Sequence, residues 1–184
     1  MRFKFTLLLL AFNVITFGLI LSLNTKTERA NSQSGSLSAI IGREVIEADR
    51  IELNGKGLDT PRILEHDGSS WKITAPMQWS ANYFAINRML NQLQFLEEEA
   101  SFSVAEIKKT GQTLADYGLD EPQLQLTISN KNESIELSVG TATEIGNNFY
   151  LLGPSKKNVF VVNSQVIKSL LVDLSDLRNR EIFN

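Results

Sequence analysis

From residue 5 to residue 23 the chain reads FTLLLLAFNVITFGLILSL, 19 positions without a charge. At ~1.5 Å per residue a helix over this run would be about 28 Å long, close to the ~30 Å hydrocarbon layer of a bilayer. Arg2 and Lys4 stand in front of it and Asn24, Thr25 and Lys26 behind it. The run exceeds the ~7–15 apolar residues of a signal core, and no small-x-small pair follows it. It therefore predicts a retained single-pass signal anchor, with Phe5, Leu10, Phe17 and Leu23 spaced along its length. A cleaved signal peptide and a buried soluble helix are the alternatives. Basic residues ahead of the run, against Lys26 and Arg29 partly offset by Glu28, predict the N-terminus in the cytoplasm and the remainder outside.

Residues 24–44 carry no hydrophobic period, only a brief Ala39-Ile40-Ile41 patch among small polar side chains, and read as a tether. From residue 45 the pattern changes. Residues 49–54 alternate, with Ile51 and Leu53 on one face and Arg50 and Glu52 on the other, which predicts a half-buried strand. Residues 62–66 and 69–74 follow as strands around an Asp67-Gly68 turn. After Pro76 the period becomes helical. Ser80 is the expected cap of a helix running to about Leu96, with Tyr83, Ile86, Met89, Leu90, Leu93 and Leu96 as its buried stripe. Glu97, Glu98 and Glu99 then read as a solvated edge, because three carboxylates oppose the helix dipole.

The stretch LADYGLDEP, residues 114–122, is read as a structural joint. Thr113 and Asp116 have capping-box spacing, Gly118 suits a left-handed terminus, and Pro122 starts an extended segment. Leu114, Tyr117 and Leu119 supply its apolar side, with the Tyr117 phenol reaching a polar partner. Residues 123–129, 134–139, 149–152 and 159–162 then alternate as four antiparallel strands, and a helix from Ser164 with a last turn near Leu177 covers them. The fold class is α+β: mainly antiparallel sheet with packing helices, preceded by one N-terminal transmembrane helix. The expected domains are an anchor over 1–23, a tether over 24–44 and an α+β domain over 45–184.

Composition narrows the chemistry. The net charge of −3, with two of the basic residues ahead of the apolar run, makes a poor nucleic-acid binder. The chain has no cysteine, which removes thiol catalysis, disulfides and cysteine metal sites. Its single histidine, His66, lies between Glu65 and Asp67, neighbours that a strand directs to opposite faces. No nucleophile elbow and no glycine-rich phosphate loop occurs in the sequence. No catalytic, metal or cofactor residue is expected, and the chain reads as a non-enzyme. Trp71 and Trp79 flank Pro76 and are the candidate partner contacts. Both read first as core residues at a sheet-to-helix corner; the alternative is that one of them, Trp79 on the loop before the helix, stays exposed as an aromatic anchor for a partner.

Several of these segments together resemble a known family. WKITAP at 71–76, Ala85-Ile86-Asn87, Leu90 to Leu93, LADYGLDEP, Gly140 with residues 141–150, and the ending LRNREIF look like the bacterial domain-of-unknown-function 4340 family. The similarity covers roughly residues 49–183, and its most specific piece is Tyr117-Gly118-Leu119 with Pro122. Members commonly carry one N-terminal membrane segment, and many repeat the domain, so this chain would be a single-copy version. The resemblance implies no catalytic residues. It implies an accessory or partner-binding role beside a gliding-motility-type ABC transporter, and hence membrane-protein partners. A tethered small-molecule or polysaccharide-binding module is the alternative, with a hydrolase behind it.

Overall fold

The computed structural model describes residues 37–179; the anchor expected over residues 5–23 lies outside them. Among the described residues no helix is long and apolar enough to cross a membrane. Alternating side chains build nine strands: β1 (Arg50–Asn54), β2 (Arg62–His66), β3 (Trp71–Ala75), β4 (Trp79–Ser80), β5 (Glu98–Ser103), β6 (Leu124–Ser129), β7 (Ser134–Ala142), β8 (Asn148–Leu152) and β9 (Asn158–Asn163). They form one antiparallel sheet in the order β4-β3-β2-β1-β6-β7-β8-β9-β5. β1 sits inside the sheet, pairing Ile51 with Leu64 of β2 on one side and with Ile128 of β6 on the other.

Adjacent residues in a strand point to opposite faces, and here both faces are used. Leu151 pairs with Phe160 on the side of the main core, whereas Leu152 pairs with Val159 in a second, smaller cluster. The main core is covered by α1 (Leu37–Ile46), α2 (Tyr83–Gln94), α4 (Ser164–Leu170) and α5 (Leu174–Leu177). The smaller cluster lies under α3 (Val104–Lys109) and a 3-10 turn (Leu114–Tyr117). Across β2, β1 and β6 the face opposite the main core is mainly polar, Ile63 apart, with Arg50 bonded to Glu52 and Glu65.

Four expectations are corrected. Residues 37–44 are not tether: Leu37, Ile41 and Val45, four residues apart, bury one side of α1 against α2. Gly42 permits that approach, since a Cβ there would stand 3.1 Å from the Gln94 carbonyl oxygen. Ser80 does not cap α2. Its backbone is committed to β4, opposite Lys72, and Asn82 caps instead, its side-chain oxygen accepting from the Phe84 and Ala85 amides. Tyr83 consequently leaves the buried stripe and is 66% exposed, while Ile86, Met89, Leu93 and Leu96 remain inside. Glu98 and Glu99 begin β5, which pairs with β9 at the edge of the sheet rather than trailing a helix. Ser103 then starts α3 with a complete capping box to Glu106, holding that carboxyl below its usual range.

The turn after α3 is seated on β7 by two glycines. Gly118 has φ +65°, and a Cβ on it would lie 2.6 Å from the Thr141 methyl carbon. Across the contact, a Cβ on Gly140 would lie 2.1 Å from the Tyr117 carbonyl oxygen. Gly140→Ala should therefore cost about 2–3 kcal/mol of stability by forcing backbone apart. Gly111→Ala, left-handed at φ +80° but with nothing within 4 Å, should cost only about 1 kcal/mol. Equal losses in thermal or denaturant melts would contradict this close seating.

At the β2–β3 turn the Asp67 carboxylate takes the Lys72 ammonium at 2.7 Å and, on its other oxygen, the Ser69 and Ser70 amides. Lys72 first, then these amides, hold its carboxyl well below the usual carboxylate range. A lowered folded-state value adds stability above the unfolded pKa that is lost as pH falls through the folded one. The turn should thus stay ordered through pH 4 and loosen only in stronger acid. A carboxyl-carbon NMR titration of Asp67 with a midpoint near the ordinary ~3.9 would contradict this.

Candidate functional site

Helix α2 buries one face and shows the other. Ile86, Met89 and Leu93 point into the core, so positions about two residues away from each, half a turn round the helix, face outward. Phe84, Arg88, Asn91 and Phe95, spaced four, three and four apart, form one exposed line. The two phenylalanines are 78% and 70% exposed, an unusual state for side chains of this size. Phe84 stands in the first turn of α2 and Phe95 is its C-cap residue, so they bracket the helix.

Beside this line α2 packs against α4, which begins after the capping residue Asn163. The two helices bound an open groove of about 640 Å³ lined by Phe84, Arg88, Asn91, Phe95, Gln165 and Val166, among others. A second cleft of about 400 Å³ continues from Phe84 and Arg88 toward Val172 and Asp176. Gln92 also lines the larger groove, and its side-chain oxygen is buried with no hydrogen-bond partner. The groove therefore offers apolar anchors at both ends, carboxamides that donate and accept, and the cation of Arg88 as the one charge in its lining. Such a set binds by contact and hydrogen bonding.

The residues singled out from the sequence lie elsewhere. Trp71 and Trp79 are both half-buried against the main core. The Arg178 guanidinium stands 4.4 Å from the Trp79 ring centroid, and β4 pairs Trp79 with Ile73. Trp79 thus packs against the core and is not exposed as an anchor. Tyr83, expected in the buried stripe, is exposed, and Phe84 and Phe95, not among the residues expected to act, carry the outer face. The missed signal was the four-three-four spacing of Phe84, Arg88, Asn91 and Phe95 on the side of the helix away from Ile86 and Met89.

At the joint the Thr113 amide and hydroxyl both donate to Asp116, at 2.7 and 3.1 Å. The Tyr117 hydroxyl donates to the Gln112 side-chain oxygen at 2.9 Å, and its ring meets Phe102 and Tyr150. Burial first, then Tyr150 and Asp116, raises the Tyr117 hydroxyl above its ordinary value, which keeps it neutral. Leu119 is buried in the smaller cluster, and half-buried Pro122 leads the chain toward β6. These contacts hold the turn. His66 stacks near Trp71, with ring centroids 5.2 Å apart. Among the described residues no group of three or more His, Cys, Asp or Glu side chains is placed to hold a metal ion.

A family profile described as a domain of unknown function (DUF4340) matches residues 71–184. The chain belongs to this family. The DUF4340 match opens at Trp71, the first residue of β3, and takes in α2, the joint and the strands that follow. α1, β1 and β2 precede the match, yet they complete the same sheet and core. Neither the curated proteins nor the solved structures compared with the chain gave a match.

Substitution separates the two kinds of aromatic residue. Trp79→Ala should cost roughly 2 kcal/mol, less than the ~3–5 of a fully buried aromatic because Trp79 is only half-buried. Phe84→Ala should stay within about 0.5 kcal/mol of the parent. A larger loss for Phe84→Ala than for Trp79→Ala, read by thermal melting, would reverse the assignment.

Proposed function

We propose that this DUF4340 protein is a membrane-anchored, extracytoplasmic domain that acts by holding a protein partner, without catalysis of its own. Its role is that of an accessory subunit in a membrane assembly, for which a gliding-motility-type ABC transporter is the candidate. The observation that supports this reading is the exposed line on α2, where two phenylalanines stand in solvent at either end of an amide-lined groove. Aromatic anchors around polar groups that satisfy a partner's backbone are the usual make-up of a contact surface. The apolar run over residues 5–23 supports the anchoring.

Binding of a small molecule or polysaccharide is the second reading. A volume of about 640 Å³ falls within the range of ligand pockets. The groove is open, however, and its largest apolar groups project from the rim rather than close over a ligand. That shape favours a macromolecular partner.

The test is recovery of companion chains with the tagged full-length protein in mild detergent, beside a Phe84→Ser/Phe95→Ser variant. Transporter subunits should co-purify in stoichiometric amount with the parent and fall several-fold with the variant, while the melting temperature stays unchanged. A parent protein recovered without companions would sink the accessory role.

A further inference from the structure

Resting on the reading of the α2 face as a protein contact, we infer that its occupant is a second copy of this chain, paired antiparallel through α2. The exposed line is Phe84, Arg88, Asn91, Phe95. Its spacing of four, three and four reads the same in both directions, and the residue types are mirrored: aromatic, polar, polar, aromatic. A two-fold interface requires this property, because each residue must meet on the partner the residue that the partner's copy meets here. Placed antiparallel, Phe84 lies over the partner's Phe95, and Arg88 lies over the partner's Asn91. Both contacts then occur twice.

The same spacing is the alternating seam of a coiled coil, where a polar layer between apolar ones fixes register. Charge selects the direction. A parallel pairing in register would set Arg88 against the partner's Arg88 in one layer, which like charges oppose. The antiparallel pairing gives each guanidinium a carboxamide instead.

The helix has 12 residues, so the buried surface sits toward the low end of specific interfaces, below or near ~1,200 Å². The dimer should accordingly dissociate on dilution rather than persist as an obligate unit.

The chain has no cysteine, so any introduced thiol is the only one in its chain. Tagged full-length Arg88→Cys is mixed with untagged full-length Asn91→Cys in mild detergent and oxidised. The disulfide between the two variants should exceed either same-site disulfide several-fold. It should be lost when Phe84→Ser and Phe95→Ser are added, with melting unchanged. Absence of cross-linking, same-site products as abundant as mixed ones, or cross-links that survive loss of both phenylalanines would each overturn the pairing. If self-cross-linking is absent while transporter subunits still co-purify in a Phe84- and Phe95-dependent way, the second copy is excluded and the accessory role stands. Mixed disulfides from a chain that recovers no companions would leave the pairing and remove the accessory role.

Discussion

The connection from β4 to β5 governs this structure. These strands are consecutive in the chain yet lie at opposite edges of the sheet, so α2 must cross the whole face between them. A flat sheet of this many strands would be about 38 Å across, whereas α2 is only about 18 Å long. The links at residues 81–82 and 95–97, each residue spanning up to about 3.5 Å when extended, make up the rest of the crossing. The crossing places Ile86, Met89 and Leu93 over strands from both halves of the sheet and turns the single main core into a consequence of one helix. It also explains why α2 has an outer face at all. α1 and α4 pack along its flanks, so among the described residues no other element lies above the side directly away from the sheet, which carries Phe84 and Phe95.

The other face of the sheet is organised by a closer contact. Gly118 and Gly140 let the backbone of the joint lie directly on β7, nearer than any side chain would allow. That contact brings Leu119 and Tyr117 over Leu152 and Val159 and, with α3, makes the second cluster. Two layers on one sheet are thus held by different means, a long amphipathic crossing on one side and a glycine-to-backbone seat on the other.

Much of this was legible in the residues. Strict alternation in residues 50–54 and 124–129, and the Asp67-Gly68 turn, marked strands that the fold contains. The spacing of Thr113, Asp116 and Gly118 marked a capped turn with a left-handed end. What escaped has physical causes. α1 buries only three large apolar side chains, separated by small and polar residues, so its stripe resembled linker until α2 was there to receive it. β5 opens with Glu98 and Glu99 and has little strand propensity; its pairing with β9 is imposed by the tertiary fold. The cap of α2 moved to Asn82 because Ser80 is held in β4, a pairing no local pattern reveals. The α2 surface is masked in the sequence by its neighbour: the exposed period of Phe84, Arg88, Asn91 and Phe95 runs interleaved with the stronger buried period on the same helix.

Because β1 lies between β2 and β6, the earliest described strand is bolted into the middle of the sheet, while α1 ahead of it is held by packing along α2 and β6 and by separate polar contacts, the Leu37 amide donating to Glu98 and Arg43 pairing with Glu133. A mechanical load entering ahead of residue 37 would meet these two attachments in series. Helix α1, held by separate contacts rather than a hydrogen-bonded ladder, can peel away one contact at a time. Strand β1, bonded on both sides, would have to shear two ladders together before giving way. Tension applied at residue 37 would thus be met by α1 before it reached the sheet.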